Sequence, residues 1–396
     1  MKRSVSDYPL AGRRALVRVD FNVPVDANGN ITDTTRIKAH LRSIGYCMEM
    51  RAKLVLISHM GRPKGQRVDK LTLKPCAAVL SGLLGKEVPF VDDCVGEKAQ
   101  AAVASMKPGD VILLENLRFH IGDEKNDPAF AAELAKLCDV YIDDAFAVAH
   151  RKAASNSAIT QAVKTCAAGF LLKDEIDYFD KAMKDPARPL VAIIGGAKVS
   201  DKIGVLENLV DTVNMLIVGG GMAFTFLKAR GLEIGKSICE NDMLDKAKSI
   251  MEKAGTKNVK ILLPVDCVVA DKAEAGAVTN VVAVDKIPQD ALGLDIGPDT
   301  AKLFGDAVKE AKTIVWNGPM GMFELDAFSK GTFGLAKDVA GSGALSIIGG
   351  GDTDSAVHKA GVSDRISYIS TGGGAFLELL EGKTMPAVEA LESCGG

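Results

Sequence analysis

The sequence predicts an α/β protein of two domains, each with a parallel sheet flanked by helices in a Rossmann-like, three-layer arrangement, connected by a hinge. Short apolar runs alternate with helical stretches along the whole chain. These runs are hydrophobic nearly throughout, which is typical of strands covered on both faces. The chain has 396 residues, enough for two domains that each bury their own core.

The first half contains four predicted strands, which are Ala15–Val19, Leu54–Ser58, Val111–Leu114 and Val140–Ile142. Each is followed by polar or cationic residues, and the carboxyl ends of parallel strands share one edge of a sheet. A surface salt bridge would explain any one of these arginines, and an ordinary loop contact would explain the histidine. Their convergence on one edge instead predicts an anion site, formed by Asp20, Asn22, His59, Arg62, Arg118 and Arg151.

A single amphipathic helix separates the two halves. Its apolar positions follow helical spacing and are Leu172, Ile176, Phe179 and Met183, with Pro186 and Pro189 directly beyond them. Proline cannot continue a helix, so the segment should end there. We interpret it as the connector between the domains.

The second half contains five predicted strands, which are Leu190–Ile194, Met215–Val218, Ile261–Leu263, Thr313–Trp316 and Leu345–Ile348. The first ends in Gly195 and Gly196, and a helix is expected to begin directly afterwards, with Lys198 and Lys202 on one face. Glycine turns and helix starts bind phosphate. The spacing is not that of a P-loop, and either lysine could be merely solvated.

Two further glycine-rich turns repeat this pattern. Gly349–Gly351 precedes Asp352, which would suit Mg²⁺ because that ion commonly takes one or two carboxylates together with phosphate oxygens. The alternative is that Asp352 only caps a helix. Ser370–Gly374 leads into a third predicted helix start, and Trp316–Glu324 is another loop at a strand end.

Composition excludes several classes of protein. The net charge of −3 gives no reason to expect nucleic acid binding, and no apolar run approaches the ~20 residues that span a bilayer. The residues from Met1 to Pro9 lack the apolar segment of a signal peptide, which favours a cytoplasmic protein. No two of the eight cysteines form a C-x-x-C pair, so reduced, mostly buried thiols are expected rather than a metal site or disulfides.

Other catalytic patterns are missing. The segment Gly219–Phe224 ends in phenylalanine where a dinucleotide-binding turn needs a small residue. No Ser-His-Asp or H-E-x-x-H pattern is visible, and no general base stands among the glycine-rich loops. Phosphoryl transfer can proceed through positioning and charge alone, so it remains compatible with this sequence.

Eight segments, in order between about residue 15 and about residue 383, resemble the phosphoglycerate kinase family. They are Val17–Pro24, Ser58–Lys64, Leu114–Phe119, Asp144–Phe146 with Ala149–Arg151, Gly195–Lys202, Trp316–Glu324, Gly349–Thr353 and Ser370–Leu380. The resemblance implies a monomeric, hinge-closing enzyme of glycolysis that interconverts 1,3-bisphosphoglycerate and ADP with 3-phosphoglycerate and ATP. Its partners would be these small molecules, with neither nucleic acid nor membrane.

The resemblance also implies roles for individual residues. Phosphoglycerate would be bound by Asp20, Asn22, Arg36, His59, Arg62, Arg118 and Arg151. Catalysis would involve Arg36, Lys198, Gly372 and Gly373, and Asp352 would hold Mg²⁺. The nucleotide would be bound by Gly196, Lys198, Lys202, Gly219, Gly293, Leu294, Asn317, Pro319, Glu324, Gly350, Gly351, Asp352 and Thr353.

The implied domains are residues 1–169 for phosphoglycerate, 170–187 for the hinge helix and 188–383 for the nucleotide, with the tail 384–396 packing back on the first domain. The chain departs from the usual family pattern at Met60, Ala147, Val148 and Ala153. The last three positions put the geometry of the loop carrying Arg151 in doubt.

Two other functions remain open at this point. A kinase that makes a different acyl phosphate would need fewer arginines, because several should hold the non-reacting phosphate of phosphoglycerate. A binding protein without catalytic activity would not need Arg36, Lys198 and Asp352 together.

Overall fold

The structure is a computed structural model that describes residues 3 to 395. Residues 1, 2 and 396, at the outer ends of the predicted first domain and tail, lie outside the described residues. The chain forms two compact units, Met1–Asp177 with Thr384–Gly396, and Tyr178–Lys383. No helix of the described part is long and apolar enough to cross a membrane.

The first unit is built on a parallel sheet of six strands. In chain order they are β1 (Arg14–Arg18), β2 (Lys53–Ile57), β3 (Phe90–Val91), β4 (Val111–Leu114), β5 (Val140–Asp143) and β6 (Cys166–Ala168). The spatial order is β3-β4-β2-β1-β5-β6. The chain winds outward on one side of β1 and later returns to the other side, so the carboxyl end of β1 is the switch point where such sheets bind ligands.

Eight helices accompany this sheet in the described part of the chain. They are α1 (Thr35–Ala39), α2 (Leu41–Glu49), α3 (Lys74–Leu84), α4 (Gly96–Ser105), α5 (Ile121–Glu124), α6 (Pro128–Ala135), α7 (Ile159–Ala162) and α16 (Pro386–Ser393). The apolar residues of β1, β2 and β4 are buried on both faces, as predicted for covered strands.

The predicted connector is the helix α8 (Phe170–Met183). Leu172, Ile176 and Phe179 are buried, in agreement with the predicted apolar face. The helix ends three residues before Pro186, as expected from the loss of a backbone donor at proline.

The second unit has its own six-stranded parallel sheet, in the order β15-β14-β13-β7-β8-β9. The strands are β7 (Leu190–Ile194), β8 (Met215–Val218), β9 (Lys260–Leu262), β13 (Thr313–Asn317), β14 (Leu345–Gly349) and β15 (Tyr368–Ile369). The helices are α9 (Ile203–Leu209), α10 (Met222–Ala229), α11 (Leu244–Thr256), α12 (Pro298–Glu310), α13 (Lys330–Gly341), α14 (Gly351–Lys359) and α15 (Gly374–Leu380). The predicted α/β class with two parallel sheets is therefore confirmed, and the second switch point lies between β7 and β13.

A small antiparallel sheet in the second unit was not predicted. It comprises β10 (Asp266–Ala270), β11 (Asn280–Ala283) and β12 (Leu292–Ile296), with β10 in the middle. Glycine and aspartate interrupt the apolar run of β12. The apolar run of β11 is short and mostly exposed, so this strand is not covered on both faces as the strands of the parallel sheets are. This sheet contributes Gly293 and Leu294 to the site described below.

The expectation that all cysteines are reduced is wrong for one pair. Cys166 in β6 forms a disulfide with Cys394, and their Cα atoms are 6.0 Å apart. The pair is separated by 228 residues and meets because the terminal segment packs on the first unit, where the Ala387 N–H donates to the Ala149 carbonyl at 3.1 Å. Sequence spacing gave no sign of this contact, whereas the other six cysteines are free thiols.

Candidate active site

The loop after β1 carries a buried carboxylate paired with an arginine. Asp20 is 3% exposed, and its Oδ2 accepts a hydrogen bond from Nη1 of Arg36, on α1, at 2.5 Å. Burial works against ionisation of Asp20, but the positive charges of Arg36 and Arg18 hold its pKa below the ordinary value. Asp20 therefore fixes Arg36 at the carboxyl edge of the first sheet.

Asn22 joins this loop to the one that follows β2. Its backbone N–H donates to Asp20 Oδ1 at 3.2 Å, and its side-chain Oδ1 accepts from the Gly61 N–H at 2.9 Å. His59 and Arg62 lie on either side of Gly61 in that second loop. The structure thus brings these four predicted residues together, although Arg62 itself is exposed.

His59 is buried and electrically neutral. Its Nδ1 accepts a hydrogen bond from the Arg18 guanidinium at 3.1 Å, so the ring proton must reside on Nε2. Burial, followed by the charges of Arg18, Arg118 and Arg36, lowers the pKa of His59 well below its usual range. The distance of 3.7 Å between Nδ1 and Asp20 Oδ1 is consequently not an ion pair. His59 would act as an N–H donor.

Arg118 and Arg151 add positive charge to the same region. Arg118 is 7% exposed and donates to the Gly61 carbonyl at 2.7 Å. Burial lowers its pKa, and the charges of Arg18 and Arg151 lower it further. Arg18 and Arg118 are buried, whereas Arg151 is exposed. The repulsion among these positive charges is relieved by binding an anion, so this edge is suited to a phosphate or carboxylate.

Asn156 holds the loop that carries Arg151. Its Nδ2 donates to the carbonyls of Val148 and Arg151 at 3.1 and 3.0 Å, and its Oδ1 accepts from the Ala153 N–H at 2.9 Å. Two of the departing positions, Val148 and Ala153, contribute only backbone atoms to these hydrogen bonds. The sequence did not single out Asn156, because the loop that it binds begins eight residues earlier.

Arg18 is a functional candidate that the sequence interpretation missed. It ends β1, is 2% exposed and donates through Nε to Ser155 Oγ at 3.2 Å as well as to His59. A buried arginine is costly unless it serves a partner or a ligand. The available signal was an arginine within an otherwise apolar strand, Ala15–Val19.

In the second unit, the expected helix directly after Gly196 is not formed. The helix α9 begins at Ile203, so Lys198 and Lys202 precede it and share no helical face. Gly196 has a φ of +118°, which directs the chain into a loop instead. Val199 is fully buried as the anchor of that loop, and its carbonyl accepts from the Lys202 N–H at 2.9 Å.

Lys202 and Asn317 connect three strand ends. The ammonium of Lys202 contacts Oδ1 of Asn317, and Nδ2 of Asn317 donates to the Gly349 carbonyl at 2.6 Å. Burial lowers the pKa of Lys202 even though Asp201 and Asp352 raise it. The loops after β7, β13 and β14 are therefore held together around one cation.

A cavity of about 630 Å³ lies at the carboxyl ends of β7 and β13. This volume suits a small organic ligand. Its walls are largely apolar and include Phe224, Ile238, Met320 and Leu325. The predicted nucleotide residues that line it are Gly196, Gly293, Leu294, Pro319, Glu324 and Asp352.

The remaining predicted residues of this unit do not line the cavity. They are Lys198, Lys202, Gly219, Asn317, Gly350, Gly351, Thr353, Gly372 and Gly373. Gly219 packs against Met320, since an added Cβ would lie 2.2 Å from the Met320 Sδ. Gly373 precedes α15 as its N-cap, and the Gly372 N–H donates to Ser370 Oγ at 3.1 Å.

Asp352 stands in the first turn of α14 but does not cap it. The N-cap residue is Gly350, and no side chain makes the capping hydrogen bond. Thr353 instead accepts from the Gly318 N–H at 2.7 Å, which ties the helix start to the loop after β13. Asp352 is exposed beside the glycine-lined cavity, and a single carboxylate there fits the donor set that Mg²⁺ uses with phosphate.

Comparison with known proteins decides the family. A sequence model of the family described as phosphoglycerate kinase matches residues 5–383. The chain belongs to the phosphoglycerate kinase family. It is therefore a kinase, a transferase of phosphoryl groups.

Relatives in this family align over nearly the whole chain. The phosphoglycerate kinase of Geobacter sp. strain M21 is 58% identical over 386 residues, covering 98% of this chain and 97% of the relative. That of Geotalea daltonii is 57% identical over 387 residues, with the same coverage. The solved phosphoglycerate kinase of Coxiella burnetii is 44% identical with a TM-score of 0.92 and covers 99% of both chains. That of Pyrococcus horikoshii is 31% identical with a TM-score of 0.82, covering 98% of both.

Proposed function

We propose that this chain transfers a phosphoryl group reversibly between 1,3-bisphosphoglycerate and ADP, giving 3-phosphoglycerate and ATP in glycolysis. The observation that carries the proposal is the pair of sites described above, found in a member of the phosphoglycerate kinase family. The first unit has buried arginines around one sheet edge, and the second has a glycine-lined cavity at its switch point. The first suits a small molecule with several negative charges, and the second suits a nucleotide.

Phosphoglycerate would bind to the first unit. Arg118, Arg62 and Arg151 would neutralise its phosphate, and His59 would donate its Nε2–H. Arg36 would bind the reacting carboxylate end, with Asp20 orienting its guanidinium. Asn22 would complete the site. An arginine binds carboxylate and phosphate through two parallel hydrogen bonds, which explains why this residue type predominates.

The nucleotide would bind to the second unit. The adenosine would occupy the apolar cavity between Gly293, Leu294, Pro319 and Glu324. Its phosphates would lie along the loops that carry Gly196, Lys202 and Asn317 and at the start of α14, from Gly350 to Thr353. Gly219 would allow close packing behind the cavity.

Asp352 would hold Mg²⁺ bound to the nucleotide phosphates. The ion, when bound, neutralises charge on the phosphates and so favours attack by another anion. Lys198 and the backbone N–H groups near Gly372 and Gly373 would stabilise the phosphoryl group during transfer.

The acceptor needs no general base. The carboxylate of 3-phosphoglycerate is ionised at neutral pH, so its oxygen can attack the γ-phosphorus directly while the bond to the β-phosphate oxygen breaks. Arg36 and Lys198 would balance the negative charge that develops. Because Arg36 and Lys198 belong to different units, we propose that the units close on a hinge at α8 during catalysis. Closure would also exclude water as a competing acceptor.

We also propose that the protein acts as a monomer in the cytoplasm. The substrates are small soluble molecules, and both proposed sites are built entirely from residues of this chain. The proposed domains are 1–169 with the tail 384–396 for phosphoglycerate and 188–383 for the nucleotide, with 170–187 as the hinge.

The deciding experiment is a coupled assay of ATP-dependent phosphorylation of 3-phosphoglycerate in the presence of Mg²⁺. Robust activity is expected with 3-phosphoglycerate and little with acetate or other small carboxylates that carry no phosphate group. Binding of both ligands without turnover would instead favour the non-catalytic binding protein. Preference for another carboxylate would favour the second kinase hypothesis.

A further inference from the structure

His40 lies between α1 and α2 and occupies a fully internal position. It is 1% exposed, and the structure places it four residues after Arg36. Its ring has two different partners. Nε2 accepts a hydrogen bond from the backbone N–H of Asp20 at 2.9 Å, and Nδ1 lies 2.7 Å from Oδ2 of Asp144.

These two contacts fix the protonation of the ring. A backbone N–H can only donate, so Nε2 must carry a lone pair and no proton. The ring proton therefore resides on Nδ1, where it is donated to the Asp144 carboxylate. In an imidazolium, or in the Nε2–H tautomer, the Nε2–H group would point at the backbone N–H of Asp20 and no hydrogen bond could form.

Asp144 in turn binds the start of α8. Its Oδ1 accepts from the Leu171 N–H and from the Ser43 hydroxyl, both at 2.9 Å. The Ser43 oxygen accepts from the Phe170 N–H, also at 2.9 Å. Asp144 and Ser43 are fully or almost fully buried, so each of these bonds is protected from water.

The contact between Asp144 and the preceding segment is tight. A Cβ added to Gly169 would lie only 2.0 Å from Asp144 Oδ1. The backbone directly before α8 therefore passes so close to the carboxylate that position 169 has no room for a side chain. A shift of Asp144 would move the Leu171 N–H, which it binds directly, and the Phe170 N–H, which it binds through the Ser43 hydroxyl.

We infer that His40 is a positioning residue for phosphoglycerate. It sets the backbone of Asp20, and through the Asp20 carboxylate the guanidinium of Arg36, relative to the first turn of α8. His40 need not touch the substrate to do this. The inference rests on the proposed function, because Asp20 and Arg36 are assigned there to the phosphoglycerate site.

Two substitutions separate the two contacts. In His40→Gln, the terminal amide occupies the place of Nε2, so its oxygen can still accept from the Asp20 N–H. In His40→Asn, the amide occupies the place of Nδ1, so its NH₂ group can still donate to Asp144 while Asp20 loses its acceptor. The matched control is His358→Asn, which alters an exposed histidine–aspartate pair in α14.

The proposal is tested by steady-state kinetics with each substrate varied separately. His40→Asn is expected to raise KM for 3-phosphoglycerate about tenfold, the equivalent of one lost hydrogen bond. His40→Gln should raise it less than about threefold, and KM for ATP should stay at the wild-type value in both. The control should match wild type. The proposal would be overturned if His40→Asn, His40→Gln and His358→Asn had equal KM values for 3-phosphoglycerate. It would also be overturned if KM rose in parallel for 3-phosphoglycerate and ATP.

A second measurement does not depend on turnover. In protein labelled with ¹⁵N at histidine, the His40 ring nitrogens should show the neutral Nδ1–H tautomer, identified as the signal lost in His40→Gln. The other tautomer, or an imidazolium at neutral pH, would overturn the assignment. An inactive wild type would contradict the proposed function. The spectroscopic result would still decide whether His40 links the Asp20 N–H to Asp144 by hydrogen bonds.

Discussion

Arg36 and Asp20 form a hydrogen-bonded ion pair of 2.5 Å in which the arginine is partly exposed and the aspartate is buried. The buried carboxylate holds the guanidinium by one edge. The remaining N–H groups of the arginine can then bind a ligand without a large loss of side-chain entropy. This pair is the direct basis of the first prediction.

Replacement of Arg36 by alanine should lower kcat for phosphoglycerate on the order of 100-fold or more, because the charge that balances the transferred phosphoryl group is lost. Arg36→Lys should recover only part of the rate, since an ammonium lacks the planar fork. The assay is ATP-dependent phosphorylation of 3-phosphoglycerate. Arg14→Ala is the matched control, because Arg14 pairs with Asp139 at the opposite end of β1. An unchanged kcat in Arg36→Ala would remove Arg36 from the mechanism.

Gly293 tests the nucleotide cavity. An added Cβ would lie 2.0 Å from Cζ of Phe224, which lines the cavity, so Gly293→Ala must displace that ring. We expect KM for ATP to rise about tenfold while KM for 3-phosphoglycerate stays constant, since the two ligands are assigned to different units. Gly334→Ala in α13, where a Cβ meets nothing within 4 Å, should leave both values unchanged. A higher KM for phosphoglycerate alone would contradict the nucleotide assignment.

The elements that the sequence predicted correctly were those whose burial leaves a local pattern. β7 and β13 are buried throughout, and their residues Leu190–Ile194 and Ile314–Trp316 are all apolar. The polar groups that follow such strands could be located from the run alone, which is how Asp20, His59 and Asp352 were found.

Features that depend on distant contacts left no such pattern. His40 looks ordinary in the sequence, and Arg18 is marked only as a charged residue in an apolar strand. Their partners are brought together only where β1, β2 and α1 meet. The loop of Lys198 resembles a helix start in composition, but the burial of Val199 and the positive φ of Gly196 override that preference. The Cys166–Cys394 pair likewise depends on a segment that returns from the far end of the chain.

Asp295 should make the stability of the second unit depend on pH. It is buried, its oxygens accept only the N–H groups of Ile296 and Gly331 in the described structure, and burial raises its pKa to about 7. The unfolded carboxyl titrates near pH 4. Between about pH 4 and 7 the folded form binds more protons than the unfolded form, so the free energy of unfolding falls as pH rises.

The measurement is the melting temperature of wild type and Asp295→Asn across that pH range. Asp143 in the first unit has a pKa raised to about 6 by burial and contributes a slope of the same sign. The difference between the two proteins isolates Asp295, because all other groups are shared. The difference in melting temperature between wild type and Asp295→Asn should change by on the order of 5 °C from the acidic to the neutral end of this pH range. Parallel curves of melting temperature against pH would show that Asp295 does not titrate there.

The disulfide between Cys166 and Cys394 should stabilise the first unit by tying the terminal helix α16 to the edge strand β6. A cross-link that closes so long a loop restricts the unfolded chain and typically contributes about 2–5 kcal/mol. Cys394→Ser should therefore melt at a lower temperature than wild type, and a reducing agent should lower wild type to the same value without affecting the variant. Cys239→Ser removes a partly exposed free thiol and should change nothing. Thiol titration of the unreduced, denatured protein supplies the direct check. Six reactive thiols are expected, and eight would mean that the pair is reduced in the purified protein.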